Sequence, residues 1–87
     1  MWIPERTKLF TRQYKSLHSD LQKNVNLAIT ELVKSENPIK LGKYKPSIKV
    51  YAYVLDKSNR LLYNVSFNEH VIEFIRVGSH KQVYGKD

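Results

Sequence analysis

The chain has 87 residues, 41% of them apolar and 26% charged, which is the composition of one small globular domain spanning residues 1–87. It contains no cysteine, which excludes disulfides and thiolate metal sites, and we expect that it requires no metal or organic cofactor. No apolar run could cross a membrane, so we expect a cytoplasmic protein. Fifteen Lys and Arg residues against eight Asp and Glu residues give a formal charge of +7, which favours a polyanionic partner over a merely solvated basic surface.

The basic residues are concentrated in two stretches of the chain. Residues 6–15 contain four basic residues and no acid, and residues 40–60 contain six basic residues and one acid, Asp56. A positive field of this kind on a small body attracts phosphates or acidic proteins.

The N-terminal segment predicts a short strand and then a helix. The stretch "WIPER" (residues 2–6) suits an edge strand, because proline cannot donate to a ladder. Phe10, Tyr14 and Leu17 then have helical spacing and line one face, and Thr7 can cap that helix.

A second helix follows the first after a short turn. Ser19 or Asp20 can cap its free amides, and Pro38 predicts that it ends before "SENP". Its wide apolar stripe must be buried against another layer, and it comprises Leu21, Val25, Ala28, Ile29, Leu32 and Val33.

Three segments rich in β-branched and aromatic residues follow a lysine-rich loop, "IKLGKYKPS". They are "IKVYAYVL" (48–55), "RLLYNVSF" (60–67) and "VIEFIRVG" (71–78), separated by turns at "DKSN" and "NEH". Strands joined by tight turns are typical of an antiparallel meander. We therefore expect an α+β fold, in which an N-terminal helix hairpin packs on one face of a small antiparallel sheet made of a three-strand meander and the short N-terminal edge strand.

Alternation along the strands assigns side chains to the two faces of this sheet. In the second meander strand we place Leu61, Tyr63, Val65 and Phe67 against the helices, and Arg60, Leu62, Asn64 and Ser66 on the opposite, open face. In the third strand, strict alternation puts Arg76 on the same side as Ile72 and Phe74. We place Arg76 on the open face beside Arg60.

The open face is expected to gather the groups that carry chemistry. Gly78 allows a positive φ, so the C-terminal tail can fold back over the sheet. This arrangement brings together His80 and Tyr84 from the tail, Arg60 and Arg76 from the strands, Lys49 from the neighbouring strand, and Lys43 and Lys45 from the loop.

Such a set fits the cleavage of RNA without a metal. That reaction needs a group that helps the 2′-hydroxyl attack phosphorus, a group that protonates the leaving 5′-oxygen, and cations for the charge on the phosphorane. His80 is the candidate acid or base, Arg60 and Arg76 suit the phosphate oxygens, and Tyr84 can stack on a base or orient a phosphate. The structural alternatives are a surface histidine, a solvated strand-end arginine and a packing tyrosine.

The order of these elements resembles the toxins of the RelE/ParE superfamily. The most telling pieces are "NRLLYNV", similar to the family's strand with an arginine ahead of an aliphatic pair and a tyrosine, and "RVGSHKQVYGK", similar to the closing glycine, histidine and aromatic residue of the YafQ-like branch. The likeness runs from "FTRQYKSL" onward.

The resemblance implies an endoribonuclease that cuts mRNA in the ribosomal A site and is neutralised by a cognate antitoxin. By position, Arg60 matches the family's strand arginine, His80 the closing histidine, and Tyr84 the terminal aromatic residue that contacts substrate. Arg76 stands where a basic residue often precedes the glycine, and Lys43, Lys45 and Lys49 are assigned to flanking phosphates.

Two alternatives to a nuclease toxin stay open at this point. One is a non-catalytic binding module, either a ParE-like poison of DNA gyrase or a basic docking domain, and it draws on the same charge and on the absence of histidine from "SIKVYAYVLDKSN". The other is a decayed toxin that retains only the fold.

Overall fold

The computed structural model describes residues 1–85, which form an α+β fold as predicted. In chain order the elements are β1 (Ile3–Arg6), α1 (Lys8–Lys15), α2 (Ser19–Lys34), a 3-10 helix (Pro38–Leu41), β2 (Lys43–Lys45), β3 (Val50–Val54), β4 (Asn59–Ser66), β5 (Val71–Ser79) and α3 (His80–Tyr84). The helical hairpin of α1 and α2 covers one face of the sheet, and the short α3 lies on the other.

The strands form one sheet in the order β1-β5-β4-β3-β2. β3, β4 and β5 make the predicted antiparallel meander, and β2 adds a strand where we expected only loop. β1 is an edge strand as predicted, but it runs parallel to β5, with the Ile3 N–H donating to His70 O at 2.9 Å. The sheet is mixed because the helical hairpin carries the chain across one face between β1 and the meander, which is the connection that parallel pairing requires.

Side-chain caps define where the two long helices begin. Thr7 caps α1 as predicted, since its Oγ1 accepts from Phe10 N–H at 2.9 Å. The predicted capping of α2 by Ser19 or Asp20 is wrong, because both residues already lie inside the helix. The cap is His18, whose Nδ1 accepts from Leu21 N–H at 3.3 Å.

The main core lies between the helical hairpin and the sheet. Val25, Ala28 and Leu32 of the α2 stripe and Phe10 of α1 meet the helix-facing side chains of β4 and β5. These are Leu61, Tyr63, Ile72, Phe74 and Val77. Leu61, Tyr63 and Val65 therefore face the helices as predicted. Phe67 does not join them, because it lies beyond the end of β4, is 57% exposed and meets Trp2 edge-on.

A β-bulge changes the alternation of β5. Leu62 pairs with Arg76 and Tyr63 with Phe74, so that Ile75 is an extra residue on β5. The expectation that Arg76 shares a side with Ile72 and Phe74 is thus wrong, since those two residues face the helices. The bulge shifts the alternation, so Arg76 nevertheless reaches the open face.

Candidate active site

The C-terminal segment folds over the open face as the short helix α3. Gly78 has a φ of +143°, the positive value that we expected at this turn, and the Ser79 and Gln82 side chains form a capping box. Val83 is only 1% exposed and packs with Val50, Ala52 and Leu62 in a second, smaller core. α3 is therefore fixed to the sheet by an apolar anchor as well as by its cap.

His80 and Tyr84 lie one helical turn apart on α3 and contact each other. Their ring centroids are 4.3 Å apart with an interplanar angle of 55°. His80 is exposed, whereas Tyr84 is half-buried against the second core. The backbone N–H of His80 also donates to the backbone O of Ser58 at 3.2 Å, which connects the start of α3 to the turn that precedes Arg60.

Arg60 is held at the start of β4 by the β3–β4 turn. Its Nη1 donates to Asp56 O at 2.6 Å and to Asn59 O at 3.0 Å. The Asp56 carboxylate accepts bonds from the backbone of Ser58 and the side chain and backbone of Asn59, and these bonds hold the pKa of Asp56 below its ordinary value. A carboxylate that stays ionised keeps this turn closed, and the turn orients Arg60.

Arg76 lies on the same face and binds the far end of α3. Its Nη1 donates to Val83 O at 3.3 Å, so the guanidinium links β5 to the last turn of α3. A guanidinium has five N–H donors, and one such contact leaves others for a ligand.

The Tyr84 hydroxyl is buried and has no hydrogen-bond partner within residues 1–85. Burial raises the pKa of Tyr84 above its ordinary value, and the nearby Arg60 charge acts in the opposite direction. The phenol therefore stays protonated at neutral pH and lies within the field of Arg60. A buried donor without a partner is costly unless a ligand or solvent satisfies it.

Lys45 and Lys43 extend this positive surface along β2. They pair with Val50 and Ala52, which belong to the second core, so both lysines occupy register positions on the α3 side of the sheet. The Lys45 Nζ is 5.9 Å from the centroid of the Tyr84 ring. The prediction that Lys49 lies on a strand is wrong, because Lys49 stands in the turn before β3 with a φ of +56°.

The structure therefore brings together five of the seven candidate residues around α3: His80, Tyr84, Arg60, Arg76 and Lys45. Lys43 stands farther along the same face, and Lys49 is exposed in its turn. Within residues 1–85, no group of three or more His, Cys, Asp or Glu side chains is placed to hold a metal ion. No helix in the same range has the length and apolarity needed to cross a bilayer.

Comparison with known proteins gives matches at the level of structure. No protein-family model and no curated protein sequence matches the chain. The isolated E. coli RelE toxin superposes with a TM-score of 0.77 and 19% identity, over 98% of this chain and 93% of its own. The fold is RelE-like.

Two further structures show the same likeness. A chain of the intact E. coli RelBE toxin–antitoxin complex has a TM-score of 0.77 and 19% identity, covering 91% of this chain and 96% of its own. YafQ from E. coli has a TM-score of 0.76 and 14% identity, covering 98% of this chain and all 100% of its own. The RelE-like fold that the sequence resemblance implied is confirmed.

Sequence reasoning missed the residues that hold the candidate site in place. Ser79 and Gln82 form a capping box, and their S-x-x-Q spacing is a recognisable signal for a helix start. Asp56 organises the turn before Arg60, and an Asp in a "DKSN" turn is likewise a known signal. Val83 as the anchor of α3 had no comparable signal, because one valine in a polar segment does not reveal what it packs against.

Proposed function

We propose that this protein is the toxin of a type II toxin–antitoxin pair, and that it is an endoribonuclease that cleaves mRNA on the ribosome. The observation that carries the proposal is the contact between His80 and Tyr84, which holds an imidazole and a phenol together on α3. The positive charge of Arg60 is near enough to act on the pKa of Tyr84. The RelE-like fold supports it, since E. coli RelE is described as a toxin and is found in a toxin–antitoxin complex.

The proposed reaction is transfer of the phosphoryl group within the RNA strand. The 2′-oxygen attacks the adjacent phosphorus and loses its proton, while the bond from phosphorus to the 5′-oxygen breaks and that oxygen gains a proton. The products are a 2′,3′-cyclic phosphate and a 5′-hydroxyl end. His80 moves one of these protons, because an imidazole exchanges protons near neutral pH.

The other residues stabilise charge and position the substrate. Arg60 and Arg76 bind the oxygens of the phosphorane, for which the planar guanidinium is well matched. The protonated Tyr84 hydroxyl, which has no hydrogen-bond partner within residues 1–85, donates a hydrogen bond to the substrate. Lys45, Lys43 and Lys49 bind flanking phosphates of the strand.

The proposed partner besides mRNA and the ribosome is a cognate antitoxin that covers this basic face. A segment with acidic side chains would complement the +7 charge of the chain and keep RNA away from α3. Its binding would suppress cleavage without changing the site.

A translating extract tests the proposal. Adding the protein and mapping the 5′ ends of the message should reveal new cuts, and these should disappear with His80→Ala and with Arg60→Ala. His70→Ala is the matched control, because His70 is exposed at the opposite end of β4 and β5 and stacks on Trp2. Circular dichroism of each variant checks that it is folded.

The same assay distinguishes the alternatives. The nuclease proposal would be contradicted if the mRNA stays intact with the wild-type protein, or if cleavage persists with both His80→Ala and Arg60→Ala. Uncut RNA together with inhibited DNA supercoiling would instead identify a gyrase poison. Cleavage of naked mRNA at the same positions would show that the ribosome is dispensable.

A further inference from the structure

A second basic surface lies on α1, away from His80. It consists of Arg6 at the end of β1 and Lys8, Arg12 and Lys15 on α1, and we call it the α1 basic surface. All four side chains are exposed. The three helical residues have spacings of four and three, which places them along one face, and with Arg6 they border a groove of about 330 Å³ that also contains Thr7 and Thr11.

Within residues 1–85, no acid lines the groove of this surface. Residues 6–19 contain no Asp or Glu. Glu5 is adjacent in sequence, but it lines a different groove together with Glu69 and Glu73. Because side chains alternate along a strand, Glu5 and Arg6 point to opposite faces of the sheet. The positive charges of the α1 basic surface therefore add to one another.

The scaffold of this surface is rigid, because α1 is hydrogen-bonded directly to β5. The Thr7 N–H donates to Phe74 O at 3.1 Å, and the Thr7 hydroxyl donates to Ile75 O at 2.7 Å. The Gln13 side chain accepts from Val77 N–H at 2.9 Å. Cations carried on a fixed helix lose little backbone entropy when they bind a ligand.

We propose that the α1 basic surface binds the phosphate backbone of double-helical RNA. Duplex RNA is recognised mainly by its shape and its phosphates, which requires spaced cations and no base-stacking groups. The α1 basic surface has this composition, since Phe10 is buried and the Tyr14 hydroxyl donates to Asn26. Binding of single strands generally needs exposed aromatic rings, and none is present among residues 6–15.

The composition also disfavours a protein as the ligand of this surface. Protein interfaces depend on large apolar or aromatic anchors in desolvated pockets. No large hydrophobic side chain is exposed between residues 4 and 26, whereas Leu27, Val54 and Tyr44 are exposed elsewhere. A surface of cations and threonines without an apolar anchor is the kind that binds a polyanion.

The α1 basic surface and the α3 site lie on opposite sides of the sheet, so they can bind different RNA segments at once. The inference extends the proposed function, since both concern RNA, but it does not depend on cleavage. A structured RNA held on α1 would orient the opposite face toward a single strand.

The test measures binding of the full-length protein to a blunt RNA duplex of about 16 base pairs. Fluorescence anisotropy is recorded at salt concentrations from about 50 to 200 mM. The test variant is Lys8→Gln with Arg12→Gln and Lys15→Gln. The control variant is Lys23→Gln with Lys34→Gln and Lys40→Gln, which removes the same charge from exposed positions outside the α1 basic surface.

We expect the test variant to bind the duplex more weakly and to lose about two to three units of slope in a plot of log affinity against log salt, since each lost phosphate contact removes about 0.9. The control should keep a slope close to that of the wild type. Equal losses in the two variants would show that only the overall charge matters and would overturn the inference.

Two further measurements separate this inference from neighbouring ones. If the test variant binds polyglutamate more weakly than the wild type but binds the duplex equally well, the inference is overturned in favour of an acidic protein as the ligand. Lys43→Gln with Lys45→Gln should leave duplex binding largely intact, and complete loss there would assign the duplex to the α3 side and contradict the proposal. Duplex binding that depends on α1 in a protein that cuts no RNA would refute the nuclease and leave this inference standing.

Discussion

Val83 fixes α3 to the sheet, and its replacement by alanine should release α3 before the rest of the fold is affected. The side chain is 1% exposed and packs with Val50, Ala52 and Leu62. The change removes two methyl-sized groups, which at about 0.8 kcal/mol for each buried methylene amounts to about 1.6 kcal/mol. A cavity adds to the loss, so that we expect about 2 kcal/mol.

The loss should act on the docking of α3 in particular. The second core is separate from the main core between the helical hairpin and the sheet. Since about 1.4 kcal/mol corresponds to a factor of ten, 2 kcal/mol lowers the ratio of docked to undocked α3 by roughly thirtyfold. His80 and Tyr84 leave the sheet together with the helix, so cleavage should fall with docking.

Hydrogen exchange measures this effect directly. The His80 N–H donates to Ser58 O and the Gly85 N–H to Lys81 O, and both amides should exchange faster in Val83→Ala, while amides of β4 stay protected. Val25→Ala is the control, because Val25 is fully buried in the main core and its loss should lower global stability. Unchanged exchange at residues 80 and 85, or a uniform loss across the sheet, would refute the separate anchoring of α3.

Three further outcomes follow from single hydrogen-bonding groups. Tyr84→Phe should leave the urea midpoint unchanged or slightly raised, because it removes a buried hydroxyl that has no partner within residues 1–85, yet it should reduce RNA cleavage; a clear loss of stability would contradict this reasoning. Tyr63→Phe should cost about 1 kcal/mol in urea unfolding, since the buried hydroxyl donates to Pro38 O at 2.7 Å, and a neutral result would show that this bond contributes nothing. The pKa of Asp56 is lower in the folded state, so its contribution to folding stability is present above the ordinary pKa of 3.8 and is lost as pH falls through the folded-state pKa. Asp56→Asn should remove that part of the acid dependence of stability. Identical profiles of stability against pH for the variant and the wild type would contradict this expectation.

The sequence predicts the strands of the meander well, because the alternation of apolar and polar side chains is visible within each segment. Leu61 and Tyr63 alternate with Arg60 and Leu62, and this pattern alone assigns the two faces of β4. β2 was not predicted, because a three-residue strand that contains two lysines has no apolar alternation. It forms by pairing with the free edge of β3. Its position depends on pairing, which is not a local property.

The same limit applies to β5 and to the caps. The extra residue Ile75 is defined by its register with β4, so the residues of β5 alone predict the wrong side for Phe74. His18 caps α2 although serine and aspartate, the preferred capping residues, stand directly after it. Around α3, the return of the tail over the sheet at Gly78 could be predicted from the sequence, whereas the position of Lys49 in a turn could not.

The bulge in β5 connects the two faces for which a function is proposed. An extra residue leaves backbone groups outside the regular ladder, and buried groups of this kind need other partners. α1 supplies them, since the Thr7 hydroxyl donates to Ile75 O and the Gln13 side chain accepts from Val77 N–H. The residue between these two, Arg76, is thereby turned toward α3, where it binds Val83 O. The Thr7 and Gln13 side chains thus anchor the α1 basic surface on one side of the sheet and also set the position of Arg76 on the other side. If RNA binds to both faces as proposed, β5 would fix the relative orientation of the two RNA segments.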